Sequence, residues 1–174
     1  MKTKNIGFWL VFALTASVLA APAAHSQTER FSASLIGTNE GPPINTAGTG
    51  DFNMTIEPSG ITFTINFSGL SSPLAVAHTH FGLPKVNGGV MIFLCGGGGQ
   101  RACPATTSGI ITGTITAANV VGPAAQGVAA GDLDTALELT RDGFSYANLH
   151  TTNFPSGEIR GQVRRGAGHA RAGD

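Results

Sequence analysis

Charged side chains are scarce in this chain. Lys, Arg, Asp and Glu make up 11% of the 174 residues, as 10 basic and 10 acidic groups with a formal net charge of zero, whereas about 25% is usual. This scarcity argues against coiled coils, long charged helices and polyelectrolyte tails. It also argues against a nucleic-acid binder, because neutralising phosphates requires a basic stripe.

Long apolar runs are also scarce, and the only one lies near the N-terminus. Two lysines precede residues 6–21, which are almost wholly apolar, and small residues follow. The run is shorter than the ~20 residues that a membrane span needs, so an uncleaved anchor is the less favoured alternative. We predict a secretory signal peptide over residues 1–26, cleaved before Gln27 or a few residues earlier. The protein is then secreted, to the periplasm or the extracellular space, with no membrane span after cleavage.

Cysteine is limited to two residues, Cys95 and Cys103, which bound the segment CGGGGQRAC. In an oxidising compartment we expect them to form one disulfide that pins the glycine-rich tip. A reactive thiol pair is the alternative, although the spacing is not the CxxC of redox enzymes. The glycine run at residues 96–99 is no phosphate loop, because the Lys-Ser/Thr ending and the following helix are missing.

Glycine is abundant, at 25 residues, and the chain after the apolar run switches between short alternating segments and turn clusters. In residues 61–67 (ITFTINF) apolar and polar residues alternate with the period of two typical of a strand with one buried face. Further candidate strands occupy residues 31–37, 50–56, 74–81, 89–94, 109–116, 144–151 and 158–164.

One segment has helical instead of strand spacing. Residues 132–142 (DLDTALELTRD) favour a short amphipathic helix with Asp132 as N-cap and Gly143 as stop signal, and a second helical turn is predicted from Thr116. We therefore predict an all-β domain over residues 27–165, an antiparallel Greek-key sandwich or barrel with one or two short helices. A disordered tail is expected at residues 166–174.

Histidines in two candidate strands mark the place where chemistry is expected. His78 and His80 lie two residues apart in AVAHTHFG, so they share one face of a strand. Asn148 and His150 likewise share a face in the segment YANLHTTNF. If the two strands are neighbours, three imidazoles converge, and three histidines with an open position suit a copper or zinc ion.

A purely structural role for these polar residues is the alternative. A His-x-His pair also arises by chance, and histidines in sheets are commonly hydrogen-bonded to carbonyls or carboxylates. Glu158 and Arg160 alternate onto one face, where we expect a structural ion pair or the orientation of a nearby polar group. Glu158 could instead act as a general base, but no nucleophile or second carboxylate has motif-like spacing beside it.

The segments that hold these residues together resemble the CHRD domain, the module repeated in chordin. The resemblance runs through FSASLIGTNEGPP, AHTHFG, NGGVMIFL, GIITGTIT and, most specifically, YANLHTTNFPSGEIRGQV, over about residues 31–163. It implies a barrel similar to that of immunoglobulins or copper-zinc superoxide dismutases, in a secreted protein like the free-standing bacterial members. Growth-factor binding by chordin is associated largely with separate cysteine-rich modules, so the fold alone does not transfer it.

AHTHFG is similar to the copper-binding strand of copper-zinc superoxide dismutases. Their two-metal site uses six histidines and an aspartate, whereas the chain after residue 26 has four histidines, of which His169 lies in the tail. Leu83 stands where the aspartate is expected after Phe-Gly. The resemblance thus implies no complete two-metal site, and a single-metal site at His78, His80 and His150 remains.

Three functions are compatible with these patterns. The first is an exported, non-catalytic binding or cell-envelope module with an extracellular or envelope protein or glycan as partner. The second is a protein that holds a single copper or zinc ion on three histidines and performs redox or hydrolytic chemistry. The third is a structural matrix protein without a discrete ligand. The residues expected to form the polar binding surface of the first are His78, His80, Asn148, His150, Glu158 and Arg160.

Overall fold

The computed structural model describes residues 28–166, so the predicted signal peptide and residues 167–174 of the predicted tail lie outside it. The all-β prediction is confirmed. Nine strands are present in this range: β1 (Glu29–Ile36), β2 (Thr49–Glu57), β3 (Gly60–Ser68), β4 (Leu74–Phe81), β5 (Gly89–Cys95), β6 (Gly109–Ile115), β7 (Ser145–Thr151), β8 (Ile159–Gln162) and β9 (Arg164–Arg165). The last predicted strand is divided into β8 and β9 at Val163, whose N–H instead donates to the carbonyl of Ser145.

The strands form one nearly closed antiparallel barrel. Their order is β5-β4-β7-β8-β1-β2-β3-β6, with β9 paired to β1. Strands β4 and β7 are neighbours although they are distant in sequence, as in Greek-key arrangements. The two ends of the sheet approach each other, and a bridge between Ile92 and Val120 links β5 to the segment after β6. The barrel architecture therefore brings the two histidine-bearing strands side by side.

The interior of the barrel is filled by one face of each strand. In β1 the buried residues are Phe31, Ala33 and Leu35, with exposed residues between them. Strand β7 differs, because all of its residues from Ser145 to Thr151 are buried. Its odd-numbered residues Ala147 and Leu149 belong to the apolar core. Its even-numbered residues point away from this core, so other segments of the chain must bury them on the outer face of the sheet.

The predicted helical segments are confirmed. Helix α1 (Leu133–Arg141) begins after Asp132, whose carboxylate accepts a hydrogen bond of 3.1 Å from the N–H of Thr135, and Gly143 follows the helix with a φ of 79°. The helical turn predicted from Thr116 is a 3₁₀ helix over Ala117–Asn119. Within residues 28–166 the helical segments are too short or too polar to span a bilayer.

Loops cover the outer face of β4, β7 and β8. The loop of residues 82–88 lies over β8, where the carbonyls of Leu83 and Val86 accept hydrogen bonds of 3.2 Å from Arg160. The same loop is fastened to the segment after β1 by a hydrogen bond of 2.7 Å from Asn87 to the carbonyl of Gly41. A second, polar layer is thus enclosed between the sheet and its loops.

Candidate metal centre

The pairing of β4 with β7 places three imidazoles on one face of the sheet. In this register His78 lies opposite Asn148, His80 opposite Tyr146 and Val76 opposite His150. Because alternate residues of a strand point the same way, the side chains of His78, His80 and His150 all project into the polar layer. The convergence predicted from the sequence is confirmed.

The three imidazoles form a compact cluster, which we call the histidine cluster. One ring nitrogen from each of His78, His80 and His150 lies within 4.8 Å of the other two. The ring centroid of His78 is 4.5 Å from that of His80 and 4.4 Å from that of His150. An ion at the usual metal–nitrogen distance of about 2.0 Å would need its three ligand nitrogens about 3.5 Å apart in a trigonal arrangement. Small side-chain movements would therefore complete such a site.

Backbone carbonyls fix which nitrogen of two of these rings carries the proton. Nδ1 of His80 lies 2.9 Å from the carbonyl oxygen of Gly88, and Nδ1 of His150 lies 3.1 Å from that of Pro155. A carbonyl only accepts hydrogen bonds, so Nδ1 must be the donor in both rings. Nε2 of each ring then carries a lone pair. Carbonyl acceptors of this kind orient the histidine ligands of metal sites in many proteins.

Each imidazole of the cluster has a nitrogen without a hydrogen-bond partner among the described residues. Nε2 of His80, Nε2 of His150 and Nδ1 of His78 are all buried and accept or donate no hydrogen bond within residues 28–166. A buried polar atom without a partner costs about 1–3 kcal/mol. These atoms destabilise the folded protein, and they belong to three imidazoles that each bring a ring nitrogen within 4.8 Å of the other two, an arrangement that suits a metal ion.

Burial keeps the cluster neutral. Desolvation is the main cause that lowers the pKa of His78 to about 2, with smaller contributions from the nearby His150 and His80. Desolvation likewise lowers the pKa of His80 to about 4 against the opposing hydrogen bond to Gly88. It also lowers the pKa of His150, again against a carbonyl hydrogen bond. Neutral imidazole is the form that binds metals, so protons do not compete for these ligands near neutral pH.

Aromatic rings pack around the histidine cluster. The ring of Tyr146 stacks on that of His80 at 4.6 Å with an angle of 4° between the planes. The guanidinium of Arg160, from β8 on the other side of β7, lies 3.5 Å from the centre of the Tyr146 ring. Phe93 of β5 meets His78 edge-on at 5.2 Å. These contacts limit the rotation of the imidazoles and exclude solvent from the cluster.

The glycine-rich loop supports one wall of the cluster. Cys95 and Cys103 form the predicted disulfide, which closes this loop at the end of β5. Gly97 and Gly98 lie against the ring of Phe93, where a Cβ atom on Gly98 would come within 2.7 Å of Phe93 Cδ2. Glycine is therefore required here for close packing, and the loop covers the aromatic ring that contacts His78.

Glu158 and Arg160 do not form the ion pair considered from the sequence. The carboxylate of Glu158 accepts hydrogen bonds of 2.6–2.8 Å from the hydroxyls of Thr46, Ser71 and Thr151 and from the N–H of Ser71. Burial raises its pKa, but these donors outweigh burial and hold the pKa below the ordinary value. The Arg160 guanidinium donates to loop carbonyls and to Asn87. Both residues hold loops in place.

Glu40 is a buried acidic residue that the sequence did not reveal. It is 4% exposed, and its Oε1 has no hydrogen-bond partner within residues 28–166. Burial raises its pKa to about 7, although the positive charge of Arg160, a hydrogen bond from Asn148 and the positive charge of Lys85 each lower it. The sequence around it (NEGPP) is typical of an exposed turn, so no local signal marks its burial against β7.

The six residues predicted as a polar binding surface are therefore not a surface. Each of His78, His80, Asn148, His150, Glu158 and Arg160 is at most 8% exposed. The first four and Arg160 share the polar layer, while the Glu158 carboxylate is occupied by its hydroxyl donors. The expectation of an exposed patch was wrong because strand alternation shows which residues share a face, but it does not show whether loops cover that face.

Comparison with known proteins assigns most of the chain to one family model. The sequence model of the CHRD domain matches residues 31–163, which is most of the chain. Neither a curated protein nor a solved structure matches the chain significantly.

Proposed function

The chain belongs to the CHRD domain family, and we propose that its own role is to bind a single copper or zinc ion on His78, His80 and His150. The observation that carries this proposal is that three imidazoles each bring a ring nitrogen within 4.8 Å of the other two, and that each has a buried nitrogen without a hydrogen-bond partner within residues 28–166. Imidazole nitrogen is a preferred ligand of both metals. The carbonyls of Gly88 and Pro155 favour the same proposal, because they set the tautomers that leave Nε2 free.

Burial favours a small ligand over a macromolecular one at this site. A protein or glycan surface cannot reach side chains that are at most 8% exposed, whereas a desolvated ion fits among them. A partner protein or glycan stays a prediction and would have to use residues outside this set. Export also stays a proposal; the Cys95–Cys103 disulfide supports it, because disulfides persist in oxidising compartments.

Metal titration tests the proposal directly. The protein, purified after export and stripped with a chelator, is titrated separately with copper and zinc, and the bound metal is counted by elemental analysis. We expect one ion per chain and a rise in thermal stability with metal concentration, because an ion that binds only the folded state stabilises it. The His78→Ala/His80→Ala double variant should lose the ion, while His169→Ala, which changes a histidine outside the cluster, should keep it.

Two outcomes would contradict the proposal. One is the absence of stoichiometric metal in the unmodified protein. The other is equal metal content in the unmodified protein and in a double variant whose circular dichroism shows an intact β fold. Loss of metal only in His169→Ala would move the site to the tail.

A further inference from the structure

The histidine cluster offers three nitrogen ligands. Among residues 28–166, the only group of His, Cys, Asp or Glu side chains placed to hold an ion is His78, His80 and His150. Structural zinc sites have four protein ligands, and catalytic zinc sites add a water to three. A zinc ion at this cluster would therefore need a fourth ligand besides the three histidines.

Water is poorly placed to be that ligand. The three unpaired nitrogens are all buried, and the side chains that carry them are 6–8% exposed. Phe93 and Tyr146 pack directly against two of the rings, and neither ring presents an oxygen or nitrogen lone pair from its face or edge. The cluster thus favours an ion that is satisfied by three nitrogen ligands.

The charge around the cluster also disfavours a divalent ion. All three ligands are neutral imidazoles, so none of them offsets the charge of the ion. The Arg160 guanidinium lies 3.5 Å from the centre of the Tyr146 ring, which stacks on His80, so a permanent positive charge already lies close to the cluster. The cost of burying an ion rises with the square of its charge, so a divalent ion costs about four times as much to bury as a monovalent one.

From these three observations we infer that the histidine cluster selects monovalent copper, binding Cu(I) through three nitrogens in preference to Cu(II) and Zn(II). The inference rests on the proposed metal site and adds its oxidation state and coordination number. Copper(I) is satisfied by few, neutral ligands and carries half the charge of its competitors. The same preference makes the Cu(II) form of the protein easy to reduce, since tighter binding of the reduced ion raises the reduction potential.

Competition titrations measure this preference. The chelator-stripped protein is titrated with Cu(I) under anaerobic conditions against a chromophoric Cu(I) chelator, and with Cu(II) and Zn(II) against chelators of known affinity. We expect the dissociation constant for Cu(I) to be at least about 100-fold lower than for either divalent ion, because burying a single charge costs less than burying two. X-ray absorption of the Cu(I) form should show three nitrogen neighbours and no fourth light atom.

The outcomes separate this inference from the proposed function. Binding of Cu(II) or Zn(II) within about tenfold of Cu(I) would overturn the preference and leave the metal site standing. Failure of all three ions to bind would overturn both. His169→Ala serves as the control for a ligand from the tail. If this variant weakens Cu(I) binding, or if absorption shows a fourth ligand in the parent, the three-coordinate site is refuted.

Discussion

Acid is expected to destabilise the metal-free protein through three side chains whose effects oppose one another. Burial lowers the pKa of His78 to about 2 and of His80 to about 4, from an ordinary value of 6.5. Burial raises the pKa of Glu40 from 4.5 to about 7. Between pH 5 and 6 both histidines are therefore neutral when folded and largely protonated when unfolded. Glu40 is protonated when folded and ionised when unfolded.

The signs follow from which state binds more protons. Each histidine contributes stability that is complete above pH 6.5 and is lost as the pH falls toward its folded pKa. Glu40 contributes stability that is complete below pH 4.5 and is lost as the pH rises through 7. Each group changes the free energy of unfolding by about 1.2 kcal/mol per pH unit in this window. Two histidines against one carboxyl leave a net loss of about 1.2 kcal/mol per unit of acidification, to which His150 adds in the same direction.

Urea unfolding at pH 5.0, 5.5 and 6.0, in the presence of a chelator, measures this slope. Glu40→Gln removes the opposing proton and should steepen the slope by about 1.2 kcal/mol per pH unit. His78→Asn removes one of the two protons taken up on unfolding and should bring the slope close to that of His150 alone. Equal slopes in the parent and Glu40→Gln would refute the assignment of a buried, protonated Glu40. A slope unaffected by His78→Asn would refute the neutral cluster.

Three further predictions concern the framework of the site. Gly98→Ala and Gly127→Ala both place alanine at a positive φ, but only Gly98 faces an aromatic ring. In urea unfolding, Gly98→Ala should therefore lower the free energy of unfolding by about 1–3 kcal/mol more than Gly127→Ala does. Equal decreases in the two variants would contradict the packing of Gly98 on Phe93. Glu158→Gln disturbs four short hydrogen bonds and should lower the free energy of unfolding by about 2–4 kcal/mol in the same assay. A decrease below about 0.5 kcal/mol would show that these bonds contribute little to stability. Replacing both Cys95 and Cys103 by serine should lower the free energy of unfolding by about 2–3 kcal/mol. Chemical reduction of the parent protein should give the same decrease. An unchanged melting temperature in the serine variant would contradict this prediction.

Strand positions, the helix and the shared face of the histidine pair were predictable because they depend on local periodicity. The alternation in residues 61–67 indicates β3 (Gly60–Ser68) within one residue at each end. The sequence predicted contact between His78 and His150 only on the condition that β4 and β7 are neighbours, and the structure shows that they are. Strand order in a barrel depends on contacts between distant segments, which periodicity does not encode.

The burial of the site could not be predicted from the sequence. Loops rich in glycine, proline and asparagine are normally exposed, and nothing in residues 82–88 marks them as a cover for Arg160. The burial of Glu40 could not be predicted either, because its segment also has the composition of an exposed turn. Phe93 is one residue of a candidate strand in the sequence, and its contact with His78 becomes visible only once β5 is paired with β4.

Strand β7 lets one stretch of backbone serve two purposes that can change independently. Its odd-numbered residues, such as Ala147 and Leu149, hold the apolar interior, while Tyr146, Asn148 and His150 alternate with them in the polar layer. Substitutions at the even-numbered positions of β7 can exchange donor atoms without changing the side chains that form the apolar core. The donor atoms of the histidine cluster can in this sense change through substitutions of similar size while the barrel keeps its apolar core.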